Sequence, residues 1–166
     1  MADFVHLTNK TEYSLSEGAL PIARIAELCQ SFSMPAVGIS DNNNMFGALE
    51  FSEQIAKVGV QPILGCNIKI KTPKEYLHEN IEDNDLYFYL NIFSKNNEGY
   101  ENLLKCVSNA YTFNKGNAYV TVEDLIKFKD GLIILSGGNN SILAHSTDHM
   151  ITKQSQQFVS DFKREF

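Results

Sequence analysis

Asp41 stands after the apolar run Ala36 to Ile39 and Ser40, and a helical pattern opens near Met45. A carboxylate between a strand and the following helix can do two kinds of chemistry. It can serve an active site, as a metal ligand, at the edge of a parallel sheet, where the loops after the strands converge. It can instead accept from the N–H groups of the helix start. Glu17 poses a similar choice, because Ser14-Leu15-Ser16-Glu17 has the spacing of a capping box. His145 and His149 would share one face of a continuous helix as a zinc pair. However, Ser146, Thr147 and Asp148 between them read as a turn and a new cap, and zinc requires at least three protein ligands. His6 and His78 stand alone, in a strand and a polar loop, where histidines are ordinarily structural or solvated. "SGGNNS" (136–141) could cradle a phosphate, but Gly-Gly after a strand more simply reverses the chain.

The elements that must position these residues follow from composition and periodicity. A chain of 166 residues with 43% hydrophobic and 20% charged content suits one soluble domain with a sizeable core. No run approaches a membrane span and no signal segment opens the chain, so a cytoplasmic protein is expected. Cys29, Cys66 and Cys106 are far apart in apolar patterns, as reduced core residues would be. A net charge of -6 argues against a nucleic-acid grip. The short basic groups, Lys69 with Lys71 and Lys163 with Arg164, make no stripe. The asparagine groups (Asn42 to Asn44, Asn96 with Asn97, Asn139 with Asn140) sit where turns and helix starts are expected.

Strands and helices alternate along the chain. Phe4 to Leu7 reads as a first strand, and Ile22, Ile25, Ala26, Cys29 and Phe32 as a helix after Pro21. The strand Ala36 to Ile39 follows, then a helix carrying Ala48, Phe51, Ile55 and Val58 and closed by Gly59. "VQPILGCNIKIK" is a strand, Thr72 to Asp85 a polar connection, and "LYFYLNIF" a strand. Asn96 or Asn97 caps a helix bearing Tyr100, Leu103, Leu104, Val107 and Tyr111, and "GLIILSGG" reads as a buried strand. This order implies an α/β fold, a mainly parallel sheet or barrel with helices outside. Ile151, Phe158, Phe162 and Phe166 fall on one helical face whose pattern runs to the last residue, so the domain is expected to be truncated at its C-terminus.

The series "FVHLTNKTEYSLSEGAL", "MPAVGISDNNNMFGALEF", "GVQPILGCNI", "KNNEGYENLLKCVSNAY" and "GLIILSGG", in this order and spacing, resembles the N-terminal PHP domains of the alpha subunits of bacterial DNA polymerase III, the C-family replicative polymerases. The likeness runs from Phe4 to about Gly138. It implies that residues 1–166 are one PHP domain, a distorted (βα)7 TIM-like barrel at the start of a much longer DNA-directed DNA polymerase, a nucleotidyltransferase of DNA replication. It also implies that the polymerase residues, with their Mg2+ and their DNA contacts, lie downstream.

In metal-bearing members of that family, histidines and carboxylates at the strand ends hold divalent ions that activate water against phosphate esters. The resemblance places a His-x-His pair at Thr8 and Lys10, and an Asp-His pair at Asp41 and Asn42. A carboxylate maps to Asn67, a histidine to about Tyr89, and a further ligand to Asn139. Glu17 falls where some relatives carry Asp. Only Asp41 and Glu17 keep ligand-type oxygen, so no metal, no catalytic residue and no cofactor is expected in this segment, and both carboxylates are expected to be structural. The reading that follows is a non-catalytic scaffold that supports the rest of the polymerase chain and docks a proofreading exonuclease subunit, without contact to membrane. Its rivals are an active metal-dependent phosphoesterase or exonuclease and a free-standing α/β enzyme.

Overall fold

The computed structural model describes residues 4–77, 87–113, 117–136, 138, 141–144 and 152–166. His78, Asn139, His145, His149, Ile151 and half of "SGGNNS" (137, 139 and 140) lie outside the described residues. Pro21, lacking an N–H, directly precedes α1 (Ile22–Ser31), which buries Ile22, Ile25, Ala26 and Cys29. The chain continues as β1 (Ala36–Asn42), α2 (Ala48–Lys57), β2 (Gln61–Lys71), a 3-10 turn (Lys74–Tyr76) and β3 (Tyr87–Ser94). It then forms α3 (Asn97–Phe113), β4 (Val120–Thr121), α4 (Val122–Lys127), β5 (Leu132–Leu135) and α5 (Thr152–Glu165). The α/β class expected from the sequence is the class observed.

The expectation of a mainly parallel sheet is corrected. β1 and β4 pair with β2 in parallel, but β3 runs antiparallel to both β2 and β5, and the path is β1-β2-β3-β5. Parallel neighbours need a crossover, usually a helix. Between β2 and β3 the described residues supply only the 3-10 turn, so the chain returns beside the strand it has just left.

The first predicted strand is also corrected. Residues 4–8 form no ladder, although the segment accepts from β1: the Gly38 N–H donates to the His6 carbonyl and the Ser40 N–H to that of Asn9. The Asn9 side-chain amide donates to the Gly38 carbonyl at 2.9 Å, taking the place of a ladder N–H. Glycine is required at 38 because a Cβ there would lie 2.6 Å from the Leu7 carbonyl oxygen.

Period-two alternation sorts the sheet into two unlike faces. Val37 and Ile39 pack with α1 and α2 around Phe51 and Ile55. Cys66, Ile68, Phe88, Leu90 and Ile92 pack with Leu103, Leu125 and Phe158 of the later helices. The opposite face carries Ser40, Asn42, Asn67, Tyr89 and Asn91. Cys29, Cys66 and Cys106 are reduced and buried, as expected. Burial pushes the Cys66 thiol up strongly and that of Cys106 up to about 12.

Three smaller expectations meet the structure differently. Asn96 caps α3 as expected, its Oδ1 accepting from the Gly99 N–H at 2.8 Å. The buried stripe of α3 is nonetheless Leu103, Cys106 and Ala110, while Leu104 and Tyr111 are exposed. Gly99 packs on the Gly131 backbone, which fixes how the helix is turned. The strand β5 is not fully buried, since Ile133 is 47% exposed. On α5, Phe158 and Phe162 are buried, and Phe166 just after it is exposed; Phe158 lies 4.7 Å from Tyr76 between ring centroids.

Candidate functional site

The register that aligns Asn42 with Asn67, and Asn67 with Asn91, places three amides side by side across β1, β2 and β3 on the face opposite Ile39 and Cys66. The loop 10–18 folds over their β1 end, closed by two tight turns on Ser14. There the Lys10 ammonium donates to the Glu17 carboxylate, and the Asn42 side chain lies close enough to favour its charged form. Asn67 Nδ2 donates to Asn42 Oδ1 at 2.9 Å. With its oxygen taken up by Asn67, Asn42 has its NH2 left to turn toward the Glu17 carboxylate, which only accepts.

The Lys10 ammonium, then the Asn42 amide, hold the Glu17 carboxyl below the usual carboxylate range. Burial, with the Glu17 charge, raises the Tyr89 hydroxyl. The sequence-predicted positions Lys10, Glu17, Asn42, Asn67 and Tyr89 are therefore brought together, whereas Thr8 is exposed. A lowered folded-state pKa contributes stability above the unfolded value of 4.5, lost as pH falls through the folded one. Both side chains are partly exposed, so the contribution is small. Carbon-detected titration should show Glu17 ionising below an ordinary glutamate, and Lys10→Met should return its midpoint upward.

Asp41 is a different matter. It lies within β1, is 1% exposed, and alternation sets it on the face of Ile39 and Cys66, away from Asn42. Its carboxylate accepts from the Thr11 N–H and hydroxyl, both at 2.7 Å, and from the Ser14 hydroxyl at 2.6 Å. The Ser14 oxygen in turn accepts from the Asn42 N–H at 3.1 Å.

Asp41 therefore anchors the 11–14 turn and does not cap α2, which corrects the cap expectation. Position Gly47 precedes α2 with no side-chain cap, because a Cβ there would meet the Tyr13 ring at 2.8 Å. The capping box Ser14-Leu15-Ser16-Glu17 is corrected too: no helix starts there, Ser16 has φ +67°, and Glu17 turns to Lys10. Asn44 instead shapes the turn before α2, its Oδ1 accepting from the Phe46 N–H two residues on. Asn43, at φ +49°, links the Lys69 N–H to the Ala118 carbonyl.

Thr11, Ser40 and Asn91 were not singled out by sequence reasoning, and Ser14 was read only as a capping residue. Ser40 donates to Asn91, and Asn91 was legible as the polar member alternating with Leu90 and Ile92. The basic group Lys69 with Lys71 is seated on aromatic rings, Lys69 4.1 Å from the Tyr87 centroid and Lys71 5.0 Å from that of Tyr119. Burial lowers the Lys69 ammonium. In the other basic group, Arg164 pairs with Asp161 at 3.3 Å.

A hard-metal cluster needs several ionised carboxylates or neutral imidazoles. The gathered donors are one carboxylate already holding an ammonium, plus amides whose N–H groups point inward, and these do not fit such a cluster. Among the described residues, no group of three or more His, Cys, Asp or Glu is placed to hold a metal ion. No described helix is long and apolar enough to cross a membrane.

Residues 6–166 match the PHP domain family, and the chain belongs to that family. The fold class read from the sequence, a PHP-type distorted barrel, agrees with this membership. Within it, the chain is similar to the DNA polymerase III subunit alpha of Rickettsia felis, at 37% identity over 80% of this chain and 10% of that protein. It is also similar to the subunit alpha of Haemophilus influenzae, at 33% over 81% of this chain and 11% of that protein. The subunit alpha of Aquifex aeolicus is 30% identical over 97% of this chain and 14% of its own length. The chain thus spans about a tenth of the length of these relatives.

Proposed function

We propose that this chain is the PHP module of the alpha subunit of a bacterial DNA polymerase III, and that it acts in DNA replication as a metal-free, non-catalytic scaffold. The observation that carries the reading is the Lys10–Glu17–Asn42–Asn67 network, which sets an ammonium and oriented amide protons where a metal-bearing relative needs lone pairs. Its work is mechanical: the barrel face and the pinned 10–18 loop present a rigid surface to the rest of the polymerase chain and to a proofreading exonuclease subunit. DNA is met through downstream domains, with Mg2+ at the polymerase site, in the cytoplasm.

The test is elemental analysis of the dialysed chain beside a chromogenic phosphodiester assay. The expected result is no stoichiometric manganese, zinc or iron and no turnover. A full equivalent of metal, with hydrolysis that Glu17→Gln abolishes, would instead establish a metal-dependent phosphoesterase.

A further inference from the structure

We infer that Lys10 is the resident cation of this site, a covalently attached ammonium that closes a residual divalent-cation site on the oxygens of Glu17, Asn42 and Asn67. The inference deepens the metal-free reading and rests on it. Lys10 reaches Glu17 across the turn that Ser14 ties to the Asp41 carboxylate, so both ends of the ion pair are held by the same buried anchor. Asn67 donates its NH2 to the Asn42 oxygen, which leaves the Asn42 NH2 as the group turned to the Glu17 side.

A dication entering here faces a like charge and two amides presenting protons. If the ammonium is removed, the remaining obstacles are rotations: Asn42 and Asn67 can each turn an oxygen inward, beside a carboxylate that has lost its counter-charge. Lysine is suited to this role because its ammonium is a compact point charge on a flexible stem, able to sit where an ion would.

The test is manganese titration of the 166-residue chain, read by paramagnetic broadening of amide NMR signals, for wild type, Lys10→Arg, Lys10→Met and Lys10→Met/Glu17→Gln. The partly exposed pair adds little to stability, so the variants fold. Wild type and Lys10→Arg should bind equally and weakly. Lys10→Met should bind roughly tenfold more tightly, the scale expected on removing one positive charge about 5 Å from a dication in water. Broadening should centre on Asn42 and Asn67, and the gain should vanish when Glu17→Gln is added. No gain in Lys10→Met, a gain that survives Glu17→Gln, or an equal gain in Lys10→Arg overturns the inference alone. Tight manganese binding by wild type at these residues overturns both the inference and the metal-free reading.

Discussion

Replacing Asp41 by alanine is expected to cost the fold about 3–5 kcal/mol, a large part of the roughly 5–15 kcal/mol that holds a domain of this kind together. The carboxylate is buried and accepts three hydrogen bonds, two from Thr11 and one from Ser14. Bonds to a charged acceptor are the strong ones, and truncation leaves a backbone N–H and two hydroxyls facing a hole. The hydroxyls can rotate toward other acceptors, but the Thr11 N–H cannot. Asp41→Asn should cost less, about 1–2 kcal/mol, since the amide oxygen can still take that N–H. Urea unfolding followed by circular dichroism measures both. Were Asp41 held in place only for catalysis, neither substitution would lower the midpoint.

Gly99→Ala has the second large effect, and its sign is the informative part. Inside an exposed helix, alanine in place of glycine gains up to about 1 kcal/mol of propensity. Here the new Cβ would stand 1.9 Å from the Gly131 carbonyl oxygen, and Gly131 is itself held at φ +73°. That carbonyl also accepts from the Lys95 N–H at 2.8 Å, so it cannot swing aside without giving up a bond. Overpacking against backbone should outweigh propensity and leave a net loss of about 2–3 kcal/mol. A thermal melt decides between them, and a rise in midpoint would show that α3 and the turn before β5 are not packed as described.

Much of this molecule could be read in its residues because the controlling physics is local. The α1 and α2 stripes, the reduced cysteines and the Asn96 cap all follow from periodicity or turn chemistry acting over a few positions. What escaped depends on contacts between distant segments. Nothing near Asp41 announces that Thr11 and Ser14 will return to it. The Ser14-to-Glu17 spacing imitates a cap, but the loop fold puts Ser16 in the left-handed region and turns Glu17 toward Lys10. The antiparallel course of β3 was available in principle, since the polar stretch before it lacks a helical period, but the prevailing alternation argued for another parallel strand. Of the positions singled out in the sequence, the fold gathers Lys10, Glu17, Asn42, Asn67 and Tyr89; the amide link between Asn42 and Asn67 needed the β1–β2 register.

The two buried cores follow one another along the chain with almost no interleaving. The first draws on residues from Ile22 to Val60, with Tyr13 and Leu64 at its margin, and the second begins at Cys66. During synthesis, the first core can therefore condense as soon as the start of β2 has left the ribosome, with the Asp41 anchor already inside it. The rest of β2 then stands as a preformed template. Its edge beyond β1 stays open until Val120 arrives to pair with Ile70, after β3 and α3 have been made. Loop-closure entropy rises with that separation, so the docking of β4 closes a longer loop than the pairing of β3, and the exposed template is what a nascent chain must shield until then.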